Sequence, residues 1–193
     1  PSAGAIETIT VDNVSFNMIK IDGGTFMMGA TSEQGGDAYD DEKPVHLVTL
    51  SPYNIGETEV TQALWETVMG SNPSPSNFKG RNLPIVHVSW NDCQEFILKL
   101  NKKIGRKFRL PTEAEWEFAA RGGNKSQGYI YSGSNNVGKV AWYYDNMKNQ
   151  THNIKTKKAN ELGLYDMSGN VWEWCLDWYG ESKIGRAVQQ ECR

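Results

Sequence analysis

The sequence predicts a domain of mixed α and β structure whose regular elements lie mostly ahead of residue 123. Three observations carry this. Residues 11–29 (VDNVSFNMIKIDGGTFMMG) alternate roughly between apolar and polar side chains, the period-two mark of strands. Three later segments are punctuated as helices, each opened by Ser or Thr and closed by Gly, the first with apolar side chains at four-residue spacing. Beyond Gly123 the periodicity fades into residues 124–165, which are rich in Gly, Asn, Ser, Tyr and Lys.

Taken in order, Gly23-Gly24 separates two short apolar runs and predicts a hairpin there. Residues 31–43 (TSEQGGDAYDDEK) read as an acidic, glycine-rich loop closed by Pro44, and VHLVTLSPYNIG as a further strand and turn. The first helix is predicted over 61–69, with Val60, Leu64 and Val68 on one face and Gly70 as its stop. The second opens at Ser89, with Asp92 placed close to a capping box. Trp90, Cys93, Phe96, Ile97 and Leu100 form its stripe, and Gly105 ends it. The third opens at Thr112 with Glu115 in a Thr-x-x-Glu box. Glu113 and Glu115 suit its positive end, Arg121 its negative end, and Gly122-Gly123 stop it. The aperiodic stretch that follows fits a compact domain only if a metal or stacked aromatics pin it.

The chain has 193 residues, which suits one domain, with 38% apolar and 22% charged side chains. Seven tryptophans predict a dense core in which indole N–H groups need partners. A net charge of −3 with scattered Lys and Arg argues against nucleic-acid binding. No apolar run is long enough for a membrane span. The compartment stays open between cell envelope, secretion and others, since the chain opens on Pro1 without a signal peptide. Three cysteines, Cys93, Cys175 and Cys192, do not make a disulfide framework, and Cys93 reads as inert packing on a buried helix face. His46, His87 and His152 are widely separated, so hydrogen-bonded structural roles are expected rather than zinc. The acids Asp37, Asp40, Asp41 and Glu42 read as a solvated loop.

Five segments now stand in order: GGTFMMG, ETEVTQALW, LPIVHVSWNDCQEF, RLPTEAEWEFAARGG and GLYDMSGNVWEWCLDWYG. Together, from Asn17 to Gly180, they resemble the formylglycine-generating enzyme family, also called the sulfatase-modifying factor domain. The resemblance implies an α+β fold related to C-type lectins with little regular secondary structure. It also implies structural calcium and, in fully active members, oxidation of a sulfatase cysteine to formylglycine by copper held on a cysteine pair. Against that pattern, residues 181–193 (ESKIGRAVQQECR) carry neither the arginine-rich segment nor the cysteine pair. The expectation is a single domain over 1–193 without the family's C-terminal segment, with copper only where a complete catalytic site exists. Catalytic residues are unassigned. Partners in this reading are a protein or peptide such as a sulfatase, or a second copy of the chain, because lost strands would leave apolar surface to cover.

The stretch GLYDMSGNVWEW offers oxygen ligands. Asp166 and Glu173 supply carboxylates, and the Ser168-Gly169-Asn170 turn lets carbonyls point inward. On the residues alone, the two acids serve equally as turn caps or ion-pair partners. By resemblance, the calcium ligands are the side chains of Asp166 and Glu173 and the carbonyls of Gly169 and Val171, and Trp172 borders the substrate groove. Trp174 and Trp178 read as core, with residues 172 and 174 on one strand face. Asp145 and Asn146 are candidates for a second calcium site, and turn chemistry explains them as well.

Overall fold

The structure is a computed structural model and describes residues 5–31 and 44–177. Five strands form two small antiparallel sheets. Strands β1 (Ile6–Val11), β2 (Val14–Ile21) and β5 (Tyr53–Gly56) make one, in the order β1-β2-β5. Strands β3 (Gly24–Met28) and β4 (His46–Leu50) make the other. The alternating stretch is therefore split between sheets. The predicted hairpin at Gly23-Gly24 does not form, because β2 pairs with β1 and β5 while β3 pairs with β4. The tight turn lies earlier, at Asp12-Asn13, with Asp12 at φ 51°. Gly23 serves a close approach instead: a Cβ there would stand 2.2 Å from the Leu50 carbonyl oxygen.

The three helices form where the punctuation places them. Helix α1 (Gln62–Met69) is capped by the Thr61 hydroxyl, which accepts from Leu64 N, and ends at Gly70 in the left-handed region. Helices α2 (Trp90–Ile104) and α3 (Glu113–Ala120) both open on full capping boxes, Ser89 with Asp92 and Thr112 with Glu115. The aperiodic stretch holds only a one-turn helix, α4 (Val137–Val140), and a 3-10 turn at Gly123–Lys125.

Strand β2 has a cluster on each face. Val14 and Phe16 pack with Val11 against α1 and α2, where Trp65 and Phe96 stack with ring centroids 4.9 Å apart. Ile19 and Ile21, on the opposite face, join Trp116 and Phe118 of α3 and Leu162, Leu164 and Met167 from the irregular part. Each such buried side chain contributes about 1.5–3 kcal/mol. No helix among the described residues is long and apolar enough to cross a membrane.

Candidate functional site

The irregular part is held by side chains where a sheet would use backbone ladders. Asn160 is buried and accepts from Leu162 N (3.0 Å) and Leu164 N (3.1 Å) while donating to the Ala119 carbonyl (2.9 Å) and Ser132 Oγ (3.0 Å). Trp142 stacks on His152 with centroids 3.6 Å apart, and Lys157 Nζ lies 4.0 Å from the Trp142 ring. Stacked aromatics are thus one of the two expected pins. The segment leading into 172–177 is tied to the helix starts: Trp90 Nε1 donates to Cys175 O (2.9 Å), Leu176 N to Pro111 O (2.8 Å) and Glu113 N to Asp177 Oδ2 (2.6 Å).

Within this frame lies the turn that carries Asp166, Gly169, Val171 and Glu173. Asp166 and Asn170 occupy the left-handed region at φ 60° and 68°, which short polar side chains tolerate. Asn170 closes the turn. Its N–H donates to Trp142 O (2.8 Å), and its amide exchanges hydrogen bonds with the His152 backbone (2.9 and 3.1 Å). Gly169 is required, since a Cβ would meet the Trp142 carbonyl oxygen at 2.3 Å. Its own carbonyl accepts Val171 N at 3.0 Å. Asp166 is buried, with Oδ2 accepting from Lys155 N (2.9 Å) and Oδ1 without a partner.

Glu59, in the short link between β5 and α1, completes an acidic group that sequence reasoning missed. It is 7% exposed, and neither of its carboxylate oxygens has a hydrogen-bond partner. Burial, reinforced by the charges of Asp166 and Glu173, holds its pKa well above the ordinary carboxylate range, with the nearby Asn170 amide opposing weakly. Burial likewise pushes Glu173 up to about 7. Asp166 adds to that rise, and the approaching Trp116 indole offsets part of it without completing a hydrogen bond. Asp166 is raised as well, chiefly by burial. Glu59 falls inside ETEVTQALW, one of the five motifs, but an acid just ahead of a helix looks like a solvent-facing N-terminal charge. Only the tertiary packing reveals its burial.

A cavity of about 450 Å³ opens beside these acids. Its lining draws on both core clusters and includes Glu59, Glu173, Trp116, Trp172 and Trp174. Trp172 is 65% exposed. Trp174, expected in the core, is half-exposed, because its indole N–H reaches out to the Val88 carbonyl (3.0 Å). Residues 172–175 form no strand, so the expected shared strand face is absent from the described residues.

The other candidates fall elsewhere. Asn146 is occupied in its own turn, accepting from Tyr143 N (2.7 Å) and donating to Ala141 O (3.0 Å), and Asp145 is exposed. His152 Nε2 meets Met147 O (3.0 Å) and His46 Nδ1 meets Pro44 O (3.3 Å), while His87 is exposed with no hydrogen bond among the described residues. Cys93 packs beside α1, its thiol pushed up to about 11 by burial and then by Asp92. Cys175 is raised further by burial and four carboxylates. Neither is poised as a thiolate. Asp37, Asp40, Asp41, Glu42, Trp178 and Cys192 lie outside the described residues. Among the described residues no three or more His, Cys, Asp or Glu side chains are grouped to hold a metal ion.

The same architecture recurs in known proteins. The chain is 38% identical over 216 residues to the chaperone protein LppX of Paenibacillus barcinonensis, covering 86% of this chain and 73% of that one. It is 31% identical over 222 residues to the formylglycine-generating enzyme of Streptomyces coelicolor, covering 83% and 68%. Among solved structures, Treponema denticola variable protein 1 superposes with a TM-score of 0.79 at 33% identity, covering 92% and 78%. The model of the sulfatase-modifying factor enzyme 1-like domain matches residues 5–192, and the chain belongs to that family.

Proposed function

We propose that this chain is a calcium-stabilised binding or scaffold module of the sulfatase-modifying factor type. The observation that carries the reading is the uncompensated acid of the 166–173 turn: Asp166 Oδ1 is buried without a partner, and the neighbouring Glu59 adds to the acidity around it. Buried carboxylates without hydrogen bonds or cations are costly, and a hard cation bound by oxygens relieves that cost. The donor set suits calcium: carboxylates of Asp166 and Glu173, with main-chain oxygens of Gly169 and Val171 completing the shell. The ion would supply charge neutralisation and hold the turn, and with it the tryptophan-lined cavity. The kinship with C-type lectins that the sequence suggests belongs to the same reading, as does the identity to a protein named as a chaperone.

The alternative is a truncated form of a formylglycine-generating oxidoreductase that converts a sulfatase cysteine to formylglycine. The 31% identity to the Streptomyces coelicolor enzyme favours it. One measurement separates the two: calcium and copper determined together on purified protein, with melting followed in a calcium chelator. Calcium without copper, and a melting temperature that drops on chelation, support the binding module. Stoichiometric copper with turnover of a cysteine peptide supports the oxidase, and melting indifferent to chelation removes the calcium reading.

A further inference from the structure

The cavity beside the acidic turn has an apolar, aromatic lining and one buried acid with nothing to neutralise it. Its cations are already engaged. Lys155 Nζ pairs with Glu57 at 2.8 Å, and Arg109 grips Glu115 through two contacts of 2.7 and 2.6 Å. Glu57 is further satisfied by Asn17 Nδ2 at 2.9 Å. Glu59 and Glu173 remain, and neither oxygen of Glu59 completes a hydrogen bond although the side chain is 7% exposed, the Asn170 amide only approaching it. A ligand that fills this space has to match an apolar wall and a buried, unpartnered carboxyl group together.

We propose that the cavity binds an organic cation carried on an aliphatic stem, a primary ammonium whose head meets the carboxylate of Glu59 and whose stem lies against the tryptophan lining. This rests on the reading of the chain as a binding module and names its ligand chemistry. A bare metal ion would leave about 450 Å³ of largely apolar space unfilled. A neutral apolar ligand would leave Glu59 unpaired, and an anion would add charge to the acids already present. An ammonium satisfies both features. Trp116, Trp172 and Trp174 add ring faces that attract cations and apolar stems alike.

The test uses the full chain in saturating calcium at neutral pH, titrated with hexylammonium chloride and, separately, with hexan-1-ol of the same stem, followed by calorimetry and tryptophan fluorescence. Hexylammonium is expected to bind at least about tenfold more tightly than hexanol. Glu59→Gln is expected to abolish that preference while leaving hexanol affinity unchanged, and Trp172→Ala to weaken both ligands together. Equal affinities on the wild-type chain overturn the proposal without recourse to any variant, which covers the case in which Glu59→Gln fails to fold. Hexylammonium binding that appears only in a calcium chelator and is lost in saturating calcium also overturns it, since Glu59 would then serve the metal. The calcium reading fails on a separate measurement, the melting shift caused by calcium alone, so a null result in one titration is not mistaken for the other.

Discussion

Two buried amides invite comparison. Gln62 in α1 donates to Phe78 O (2.7 Å) and Pro84 O (3.1 Å) and accepts from Asn72 Nδ2 (2.9 Å) and Gly80 N (3.1 Å), binding residues 72–84 to the helix. Asn160 does the same for the irregular part. The settings differ. Gln62 sits in a helix with its own caps and ladder, and the loop is an addition to it. Around Asn160 almost no ladder exists, so the side chain stands in for secondary structure. One part of the molecule is thus stabilised locally, and the other by tertiary polar contacts that also have to carry the cost of buried acids.

The largest expected effect is on Asn160. Asn160→Ala strips the acceptor from two buried N–H groups and a donor from Ala119 O, which together cost about 4 kcal/mol in urea unfolding. Gln62→Ala is expected to cost less, about 2 kcal/mol, because alanine favours the helix and the helix keeps its own caps and ladder when the loop is released. A Gln62 variant less stable than the Asn160 variant would break the comparison.

Next in size is the electrostatics of the turn. Glu173 ordinarily ionises near 4.5 and in this fold near 7, burial being the main cause. Between those values the folded state holds more protons than the unfolded one, so without a cation the contribution is fully present below 4.5 and lost as pH rises through 7. In chelator, the melting temperature is expected to fall by about 5 °C across that window, and Glu173→Gln to flatten the decline. Calcium is expected to reverse the slope for the wild-type chain and to leave Glu173→Gln unmoved. A wild-type profile that stays flat in chelator would show that the acids already have a partner.

The same division explains what the sequence reveals. All three long helices are legible because capping is local: Thr61, Ser89 and Thr112 bond their own first turns, and Gly70 and Gly105 adopt the left-handed region. Strand partners are not legible. Alternation announces a strand without saying that β2 joins β5 across a gap of more than thirty residues, and Gly23 looks like a turn when it serves a close packing contact. The Asp166–Glu173 turn is readable through its motif, yet Glu59 becomes part of the site only after folding, since no local pattern tells a buried acid from an exposed one. Trp174 fails for a similar reason: its residue type predicts burial, and a hydrogen bond to Val88 holds it half in solvent.

The smallest effects sharpen the local side of the comparison. Ser89 Oγ accepts from Asp92 N at 3.2 Å, and the Asp92 carboxylate in turn accepts from Ser89 N at 2.8 Å. Ser89→Ala removes the hydroxyl side of this box and is expected to cost about 1 kcal/mol in urea unfolding. Glu7 and Arg106 pair on the surface, both about half-exposed, and lower and raise each other's pKa. Solvent and salt screen such a pair, so Glu7→Gln is expected to leave the urea midpoint where it was. The contrast is diagnostic. A cap satisfies an N–H that the helix itself cannot, whereas the surface pair exchanges water for a neighbour at nearly equal free energy. If Glu7→Gln proved as damaging as Ser89→Ala, the first strand would depend on Arg106, and the locally stabilised part of the molecule would share the long-range dependence of its counterpart.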